Sequence, residues 1–514
     1  MRLPNKQLKT GIILNYINMG LGSLIPVFYT PIMLRILGQE EYGLYKLSSV
    51  ATSYLGLVSL GLGAAITRYI IKAKVEGGQE AESKMLGLFL LIFRAIALLS
   101  FTAGIFLIFI IDSWYDQSLT SSEIIKMKWL MFIMVCNMAF SFSVAPYVSV
   151  VSAREKFLFL ECMSIINTCV TPLVNLVALF LGYASIGLAI TSFAITFIVR
   201  VLYFLYVSKK LHLHPCYKNL PTHLLKEIFI FSFWIFVANI VSKLYATTDI
   251  MMIGAIPALA TVGVAVYNVG IILDGIIGSI SAGLSSLLTP KINKLVFSQQ
   301  TNEALTDLSI RVGRLQCHIA APFLVGFIVF GKPLICFYIG SNYINAYWIA
   351  ICVGVPKMIV LAQSACLSIV IAKNQHRFRS IVYLFIAILN AVGTWLVLEH
   401  WGIIGAAFMS GLSFFIGHGL FMNWFYWKRS GLNIIKFWRQ VSRVYIVPIL
   451  ACAFGIFASN FIDLYQLHNL LFSAIVFSIV LATAQYVLCF NSYEKQLITS
   501  PFKTLFNKIT HKNN

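Results

Sequence analysis

The sequence predicts an all-α polytopic membrane protein of about fourteen transmembrane helices. Hydrophobic residues make up 59% of the 514 residues and charged residues only 11%, well below the roughly one quarter that soluble domains carry. Runs of about twenty apolar residues, enough for a helix to cross a hydrocarbon core of about 30 Å, recur from Gly11 to Phe490. The connections between these runs are too short for a separate soluble domain.

Charged and turn-forming residues interrupt the apolar runs and delimit the predicted spans. The first six cover 11–34, 47–70, 86–111, 129–152, 160–181 and 186–207. The next six cover 228–252, 263–289, 316–338, 347–372, 380–398 and 402–426. A last pair covers 441–461 and 469–490, and a basic tail follows it.

The net charge of +20 could suggest a nucleic-acid ligand, but nucleic-acid-binding proteins gather their basic residues on one soluble face. Here the basic residues are scattered between apolar runs, so we expect no nucleic acid. Most of them lie in connections on the same side as the N-terminus, and only Arg35, Lys46, Lys126 and Lys128 flank the opposite connections. This bias predicts that both termini are cytoplasmic.

Small and polar residues form matching stripes on the second and eighth spans. One is Ser48, Thr52, Gly56, Ser59, Gly63 and Thr67, and the other is Gly270, Asp274, Gly278, Ser281, Ser285 and Thr289, each displaced by the same number of positions. The repeat predicts two six-helix bundles related as parallel repeats around a central cavity, plus a C-terminal helix pair. The predicted divisions are 1–226, 227–440 and 441–514. Small-residue stripes are also typical of close helix contacts.

Two segments, RILGQEEYGLYKL (35–47) and LVSLGLGAAITRYI (57–70), resemble the polysaccharide transporters of the multidrug/oligosaccharidyl-lipid/polysaccharide (MOP) superfamily, of the O-antigen flippase type. The residues that match the first hairpin of that family are Leu37, Gly38, Glu41, Tyr42 and Gly43. The Arg-Tyr pair that ends its second helix is Arg68 and Tyr69, and the segment 247–270 continues the resemblance.

The resemblance implies a V-shaped pair of bundles around a cavity lined mainly by spans 1, 2, 7 and 8. It implies a flippase of the bacterial cytoplasmic (inner) membrane that moves undecaprenyl-diphosphate-linked oligosaccharide to the outer leaflet by alternating access. The product would be a surface polysaccharide, such as the O-antigen of lipopolysaccharide, a capsule or an exopolysaccharide. The implied partners are the lipid-linked oligosaccharide, membrane lipids, a polysaccharide polymerase and glycosyltransferases. No cofactor is implied.

Charged residues inside the apolar runs are the candidate site residues. Lys243 and Asp249 lie about 120° apart around the axis of the seventh span, so they cannot form an i, i+4 pair. An ion left in hydrocarbon costs several kcal/mol, so each needs a partner in protein, water or substrate. The substrate-cavity candidates are Lys243, Arg94, Lys357, Arg35, Arg68, Asn15, Asn18 and Tyr267. For Arg35 and Arg68, near helix ends, we favour the competing interpretation that they extend to the lipid headgroups.

The ion-coupling candidates are Asp249 and Asp274, because a buried carboxylate can carry a proton or coordinate a cation. Structural pairing with Lys243 or Lys357 is the alternative. If the two aspartates couple transport to a cation, the chain could instead be a multidrug or small-molecule exporter of the same superfamily.

An enzymatic function is disfavoured by the absence of the expected motifs. The sequence lacks the G-x-x-x-x-G-K-[ST] phosphate-binding loop, and its longest outer loop, near 112–128, offers too few carboxylates for a membrane glycosyltransferase. The segment containing His212, His214 and Cys216 could touch a metal, but a solvated loop is the better interpretation. We expect no enzyme activity and no metal site.

Overall fold

The computed structural model describes residues 5–272, 275, 278, 292, 295, 296, 298, 301–373 and 375–496. In this part of the chain all regular secondary structure is helical, which confirms the predicted fold class. The described residues divide into two units, Met1–Asn268 and Val269–Asn514. The three-part division drawn from the sequence stays a prediction.

The first unit is built from long helices. They are α1 Asn5–Ser53, α2 Leu62–Tyr115, α3 Ser121–Ala153, α4 Phe157–Phe180, α5 Ala184–Leu205 and α6 Leu225–Ala255. The next helix, α7, is described over Ala260–Ile272, and the first unit ends within it, at Asn268. The seventh predicted span is α6, which packs against α1 and α2 within this unit.

The second unit holds the remaining helices. They are α8 Asn302–Tyr338, α9 Ala346–Ala362, α10 Ser364–Ala372, α11 His376–Phe414, α12 Asn423–Lys428, α13 Ile434–Val441, α14 Ile446–Ser459 and α15 Leu467–Leu488. By length and composition, nine helices of the described chain could cross a membrane, or up to eleven if each of two bent pairs counts as one. The number fourteen stays a prediction.

Single glycines replace three of the predicted loops. The helical path of α1 breaks at Gly38 (φ 74°), that of α2 at Gly77 and Gly78, and that of α11 at Gly402 (φ 57°). Positive φ is accessible to glycine without a Cβ penalty. The chain therefore turns at these residues without a loop.

The prediction that Ser48 to Thr67 form one continuous helical face is wrong. A 3₁₀ segment, Tyr54–Ser59, interrupts the helix, and Leu60 and Gly61 have φ values of 51° and 70°. A Cβ on Gly61 would lie 2.8 Å from the carbonyl oxygen of Ser232 on α6. The break therefore lets the chain pass directly over the backbone of α6.

A polar ladder joins α1 to α4, and its pairs keep a constant separation of 146 residues. Asn15 donates to Glu161 over 3.0 Å and Asn18 to Ser164 over 2.7 Å. Further along the same two helices, toward their C-terminal ends, Asn175 donates to the Tyr29 hydroxyl over 3.3 Å, again at a separation of 146 residues. A constant separation means that the two helices run parallel, and the ladder satisfies polar groups that lipid could not.

The residues of the family-like hairpin motif make tertiary contacts. Glu41 accepts hydrogen bonds from Lys126 on α3, over 2.6 Å, and from the backbone N–H of Ser185 near the start of α5. Tyr42 accepts a hydrogen bond from Asn268. A Cβ on Gly43 would lie 1.8 Å from the carbonyl oxygen of Thr261, so α1 and α7 touch backbone to backbone.

Replacing Gly43 by alanine should prevent the close approach of α1 to α7 and lower the yield of folded protein. The matched control is Gly22→Ala in the same helix, where an added Cβ meets nothing within 4 Å. That change should be neutral or stabilising by up to about 1 kcal/mol through helix propensity. Detergent-extracted monodisperse protein and its thermal midpoint measure both. Equal behaviour of the two variants would contradict the packing argument.

Candidate functional site

The first unit brings two lysines close together. Lys46 lies on α1 beyond the Gly38 break, and Lys243 lies in the middle of α6. The positive charge of Lys243 acts directly on Lys46, so the two ammonium groups repel each other. Among the described residues neither ammonium group has a hydrogen bond or ion pair. Among the described residues these two like charges therefore have no counter-charge.

Aromatic and hydroxyl groups surround Lys243. Its Nζ lies 5.8 Å from the centre of the Tyr54 ring, a cation–π distance. The Tyr54 hydroxyl is 3.4 Å from the Thr248 hydroxyl, and Thr247 donates to the backbone carbonyl of Lys243 over 2.8 Å. The 3₁₀ segment that breaks the second predicted span carries Tyr54, so this break positions the ring over the lysine.

Some other cations of the first unit differ from this pair because carboxylates neutralise them. Arg154 holds Glu82 through two hydrogen bonds of 3.0 and 2.7 Å. Lys126 lies 2.6 Å from Glu41. Removing a single partner from such a buried pair costs several kcal/mol. The charges of these two pairs are neutralised, whereas Lys46 and Lys243 have no carboxylate partner among the described residues and are available to bind a ligand.

This arrangement suits a multiply charged anion. A phosphate or diphosphate brings several acceptor oxygens and at least one negative charge per phosphorus, and lysine binds such groups as a point charge. The Tyr54 hydroxyl can also donate to an anion, whereas the Thr248 hydroxyl donates to the Leu244 carbonyl. No group of three His, Cys, Asp or Glu side chains in the described chain could hold a metal ion.

Asp249 is buried, with an exposed fraction of 5%, and accepts a hydrogen bond of 2.6 Å from Tyr267. Within the described residues no ion pair joins it to Lys243. The structure thus brings together two of the candidates named from the sequence, Asp249 and Tyr267, but as partners of each other. Asp274 lies outside the described residues, and ion coupling by either aspartate stays a prediction.

The remaining candidates of the first unit lie at separate places. Arg94 is exposed on α2, with its guanidinium 5.9 Å from the Tyr217 ring in the connection before α6. Arg35 and Arg68 are also exposed. Asn15 and Asn18 point to α4, where Thr168 additionally donates to Asn18 over 3.0 Å. Their roles in substrate binding stay predictions.

Lys357 belongs to the second unit and follows a proline in α9. A Cβ on Gly278 would lie 3.3 Å from its Nζ. Lys357 therefore lies beside Gly278, one residue of the stripe that the sequence places on the eighth span.

The connection 211–224 is packed more closely than the solvated loop that the sequence suggested. Leu213 is fully buried, Arg154 donates to the Leu211 carbonyl over 3.1 Å, and the Cys216 N–H donates to the Ser83 carbonyl over 3.0 Å. Hydrogen bonds thus fasten the segment along α2.

Sequence reasoning missed Lys46, because the apolar pattern places it at the edge of an outer connection. In the structure the chain is helical on both sides of Gly38, so Lys46 lies two turns inside a helix. Gly38 and Gly43 both precede Lys46 in that connection, and only Gly38 breaks the helical path, so the glycines alone do not reveal the helix around Lys46.

Comparisons with known proteins agree with the fold. A family model described as "Polysaccharide biosynthesis protein" matches residues 8–291, more than half of the chain. The solved lipid II flippase MurJ, in an inward closed conformation, has a TM-score of 0.67 at 17% identity, over 93% of this chain and 98% of its own. No curated protein matches.

Two further solved structures are transporters of the MOP superfamily. An inward-facing MATE multidrug transporter has a TM-score of 0.62 at 12% identity, over 83% of this chain and 99% of its own. A transporter from Pyrococcus furiosus has a TM-score of 0.55 at 12% identity, over 81% and 94%. At these identities the likeness shows the fold alone. The matches confirm the resemblance found in the sequence.

Replacing either lysine by methionine should raise the thermal midpoint of the purified protein by about 2 °C or more, because one unpaired ammonium group and its repulsion disappear. The double variant should gain less than the sum of the two, because the repulsion can be removed only once. The matched control is Lys126→Met, which strips Glu41 of its partner and should lower the midpoint. A loss of stability in Lys46→Met or Lys243→Met as large as in this control would contradict the absence of a counter-charge.

Proposed function

The chain belongs to the family of polysaccharide biosynthesis proteins, and from this membership we propose that it is a flippase for lipid-linked oligosaccharide. The proposed substrate is an undecaprenyl-diphosphate-linked repeat unit, moved across the bacterial cytoplasmic membrane for O-antigen, capsule or exopolysaccharide synthesis. The proposed partners in the cell are the glycosyltransferases that make this substrate and the polymerase that consumes the translocated repeat unit.

The observation that carries the proposal is that Lys46 and Lys243 act on each other while neither ammonium group has a hydrogen bond or ion pair among the described residues. A diphosphate is the common feature of such substrates whatever their sugars, so a fixed cationic site can serve the anchor while the glycan varies. Arg94, Lys357, Arg35 and Arg68 are proposed as further cations along the path. Asn15, Asn18 and Tyr267 are proposed as uncharged hydrogen-bonding groups beside it.

The charge balance suggests how binding is linked to movement. Without substrate, two ammonium groups repel each other, and this repulsion disfavours a closed, water-free arrangement around them. The diphosphate neutralises the pair and lowers the cost of closing the site. Its departure restores the repulsion, so the substrate itself selects between conformations. No covalent step is required.

A cation-coupled exporter of the same superfamily is the second candidate. The likeness to a MATE multidrug transporter and the buried Asp249 favour it, because a buried carboxylate can exchange a proton or a cation. In that case a cationic drug would meet Lys46 and Lys243 as a repulsive site. The two candidates therefore differ in the charge of the substrate: the lysines would attract an anionic lipid and repel a cationic drug.

Deleting the gene should cause diphosphate-linked oligosaccharide to accumulate in lipid extracts while the surface polysaccharide disappears. The intact gene and Lys243→Arg should restore the surface polysaccharide. At matched protein level, Lys243→Ala should restore less than about a tenth, because a lost contact between charged groups is worth about 1.5–3 kcal/mol. The control Lys128→Ala removes an exposed lysine paired with Asp112 and should restore it fully.

Normal surface polysaccharide in the Lys243→Ala strain would remove this lysine from the mechanism. Unchanged lipid-linked sugars in the deletion strain, together with altered drug sensitivity, would favour the exporter.

A further inference from the structure

The second unit contains an open cavity of about 1030 Å³ between α13, the start of α14 and the end of α15. One wall is a continuous helical path, because α13, a 3₁₀ segment (Ser442–Tyr445) and α14 follow one another directly. The opposite wall is the C-terminal end of α15. The two walls meet where the Cys489 thiol donates to the Arg443 carbonyl over 3.7 Å.

On the helical wall, two arginines lie in line with apolar residues. Five residues that line the cavity recur every three or four positions, as one side of a helix requires, and they are Ile435, Arg439, Arg443, Ile446 and Leu450. All five are exposed, and the exposed fractions of the three apolar ones are 68%, 54% and 65%. Contiguous exposed apolar residues mark a surface that lipid or a partner covers, so the arginines belong to such a surface.

This surface lies where the apolar parts of two helices end. Residues 444–459, which follow Arg443, contain no Asp, Glu, Lys or Arg, and neither does α15 up to Leu488. Because Cys489 contacts Arg443, these two apolar stretches end side by side. A molecule bound here would therefore hold its polar group beside the arginines, at the level of the headgroups, and its hydrocarbon along α14 and α15.

Four cations line the cavity, and no acidic residue of the described chain lines it. Carboxylates engage two of the four, Arg314 over 2.6 Å and Lys436 over 2.8 Å. The guanidinium groups of Arg439 and Arg443 have no hydrogen bond or ion pair with any described residue. Two guanidinium groups one helical turn apart are therefore available to a ligand.

A phosphodiester matches these two groups. The planar guanidinium fork donates to the oxygens of a phosphate, and the two non-bridging oxygens of a phosphodiester can accept from both arginines. A headgroup that also carries an ammonium group would be repelled by the surrounding cations. A soluble phosphate ester would leave the apolar residues of both walls uncovered. The cavity therefore favours an anionic phospholipid over a zwitterionic one and over a soluble anion.

We propose that this cavity binds an anionic phospholipid of the phosphatidylglycerol type. Its phosphodiester group lies between Arg439 and Arg443, and one acyl chain lies along Ile446, Leu450 and Leu488. The bound lipid joins the helical path of α13 and α14 to the end of α15. The site is independent of the lysine pair of the first unit and of the transport function proposed above.

Photoreactive lipids test this site in the full-length protein, reconstituted in phosphatidylcholine nanodiscs. The probes are phosphatidylglycerol and phosphatidylethanolamine, each with a diazirine in one acyl chain, and labelled peptides are counted by mass spectrometry. We expect labelling of segments 435–450 and 484–491. Phosphatidylglycerol should label them about fivefold more than phosphatidylethanolamine, because its headgroup brings no ammonium group close to the arginines.

Two double variants locate the effect. Arg439→Gln/Arg443→Gln should reduce labelling by phosphatidylglycerol about tenfold or more, because the charge-assisted hydrogen bonds to the phosphodiester are lost. The matched control is Lys209→Gln/Lys210→Gln, which removes the same charge from two exposed lysines outside the cavity and should leave labelling unchanged. An equal loss in the two double variants would overturn the proposal, because net charge alone would then draw the probe to the protein.

Equal labelling by the two probes in the unmodified protein would overturn the proposal and show an ordinary lipid-facing surface. Absence of labelling in both segments would also overturn it. An excess of glycerophosphoglycerol, which is the headgroup without its chains, should not compete with the phosphatidylglycerol probe. Competition would contradict a lipid site and indicate a soluble phosphodiester as the ligand. These three comparisons need no variant, so a variant that fails to fold cannot obscure them.

Discussion

The cost of placing an ion in hydrocarbon is the constraint on which the rest of this structure depends. Most charges in the helices avoid it by pairing. Glu82 is fully buried against Arg154, and Glu494 is held by Arg314 and His318. Along α1 and α4, amides and hydroxyls hydrogen-bond to one another and to the Glu161 carboxylate. Lys46 and Lys243 have no such partner among the described residues, so they are a candidate binding site rather than a structural ion pair.

The same constraint separates the two units by role. In the first, close backbone contacts at Gly43 and Gly61 bring α1, α6 and α7 together, and Lys46 and Lys243 lie on two of these helices. In the second, the Arg314–Glu494 cluster binds the carbonyls of Gln440 and Cys489, so it fastens α13 and the end of α15 to α8. Both units contain neutralised ion pairs, and the first also holds the two lysines that have no carboxylate partner among the described residues.

The sequence was sufficient for the fold class, because hydrocarbon permits few structures other than helices and apolar length reveals them. It also revealed Lys243 and Asp249, since a charge inside an apolar run is visible without a structure. It could not show the break at 54–61, which depends on the contact of Gly61 with α6. Nor could it show that Asp249 meets Tyr267, that Asn15 meets Glu161, or that the charge of Lys243 acts on Lys46, because these interactions join residues on different helices.

The most direct test is to measure the thermal midpoint of the purified full chain with undecaprenyl diphosphate and with uncharged undecaprenol. At about a hundred times its Kd, a ligand that binds only the folded state adds about 2.7 kcal/mol of stability. We predict that the diphosphate stabilises the unmodified protein but not the double variant Lys46→Met/Lys243→Met, and that undecaprenol stabilises neither. Equal stabilisation of both proteins by the diphosphate would show that the lysine pair is not its binding site.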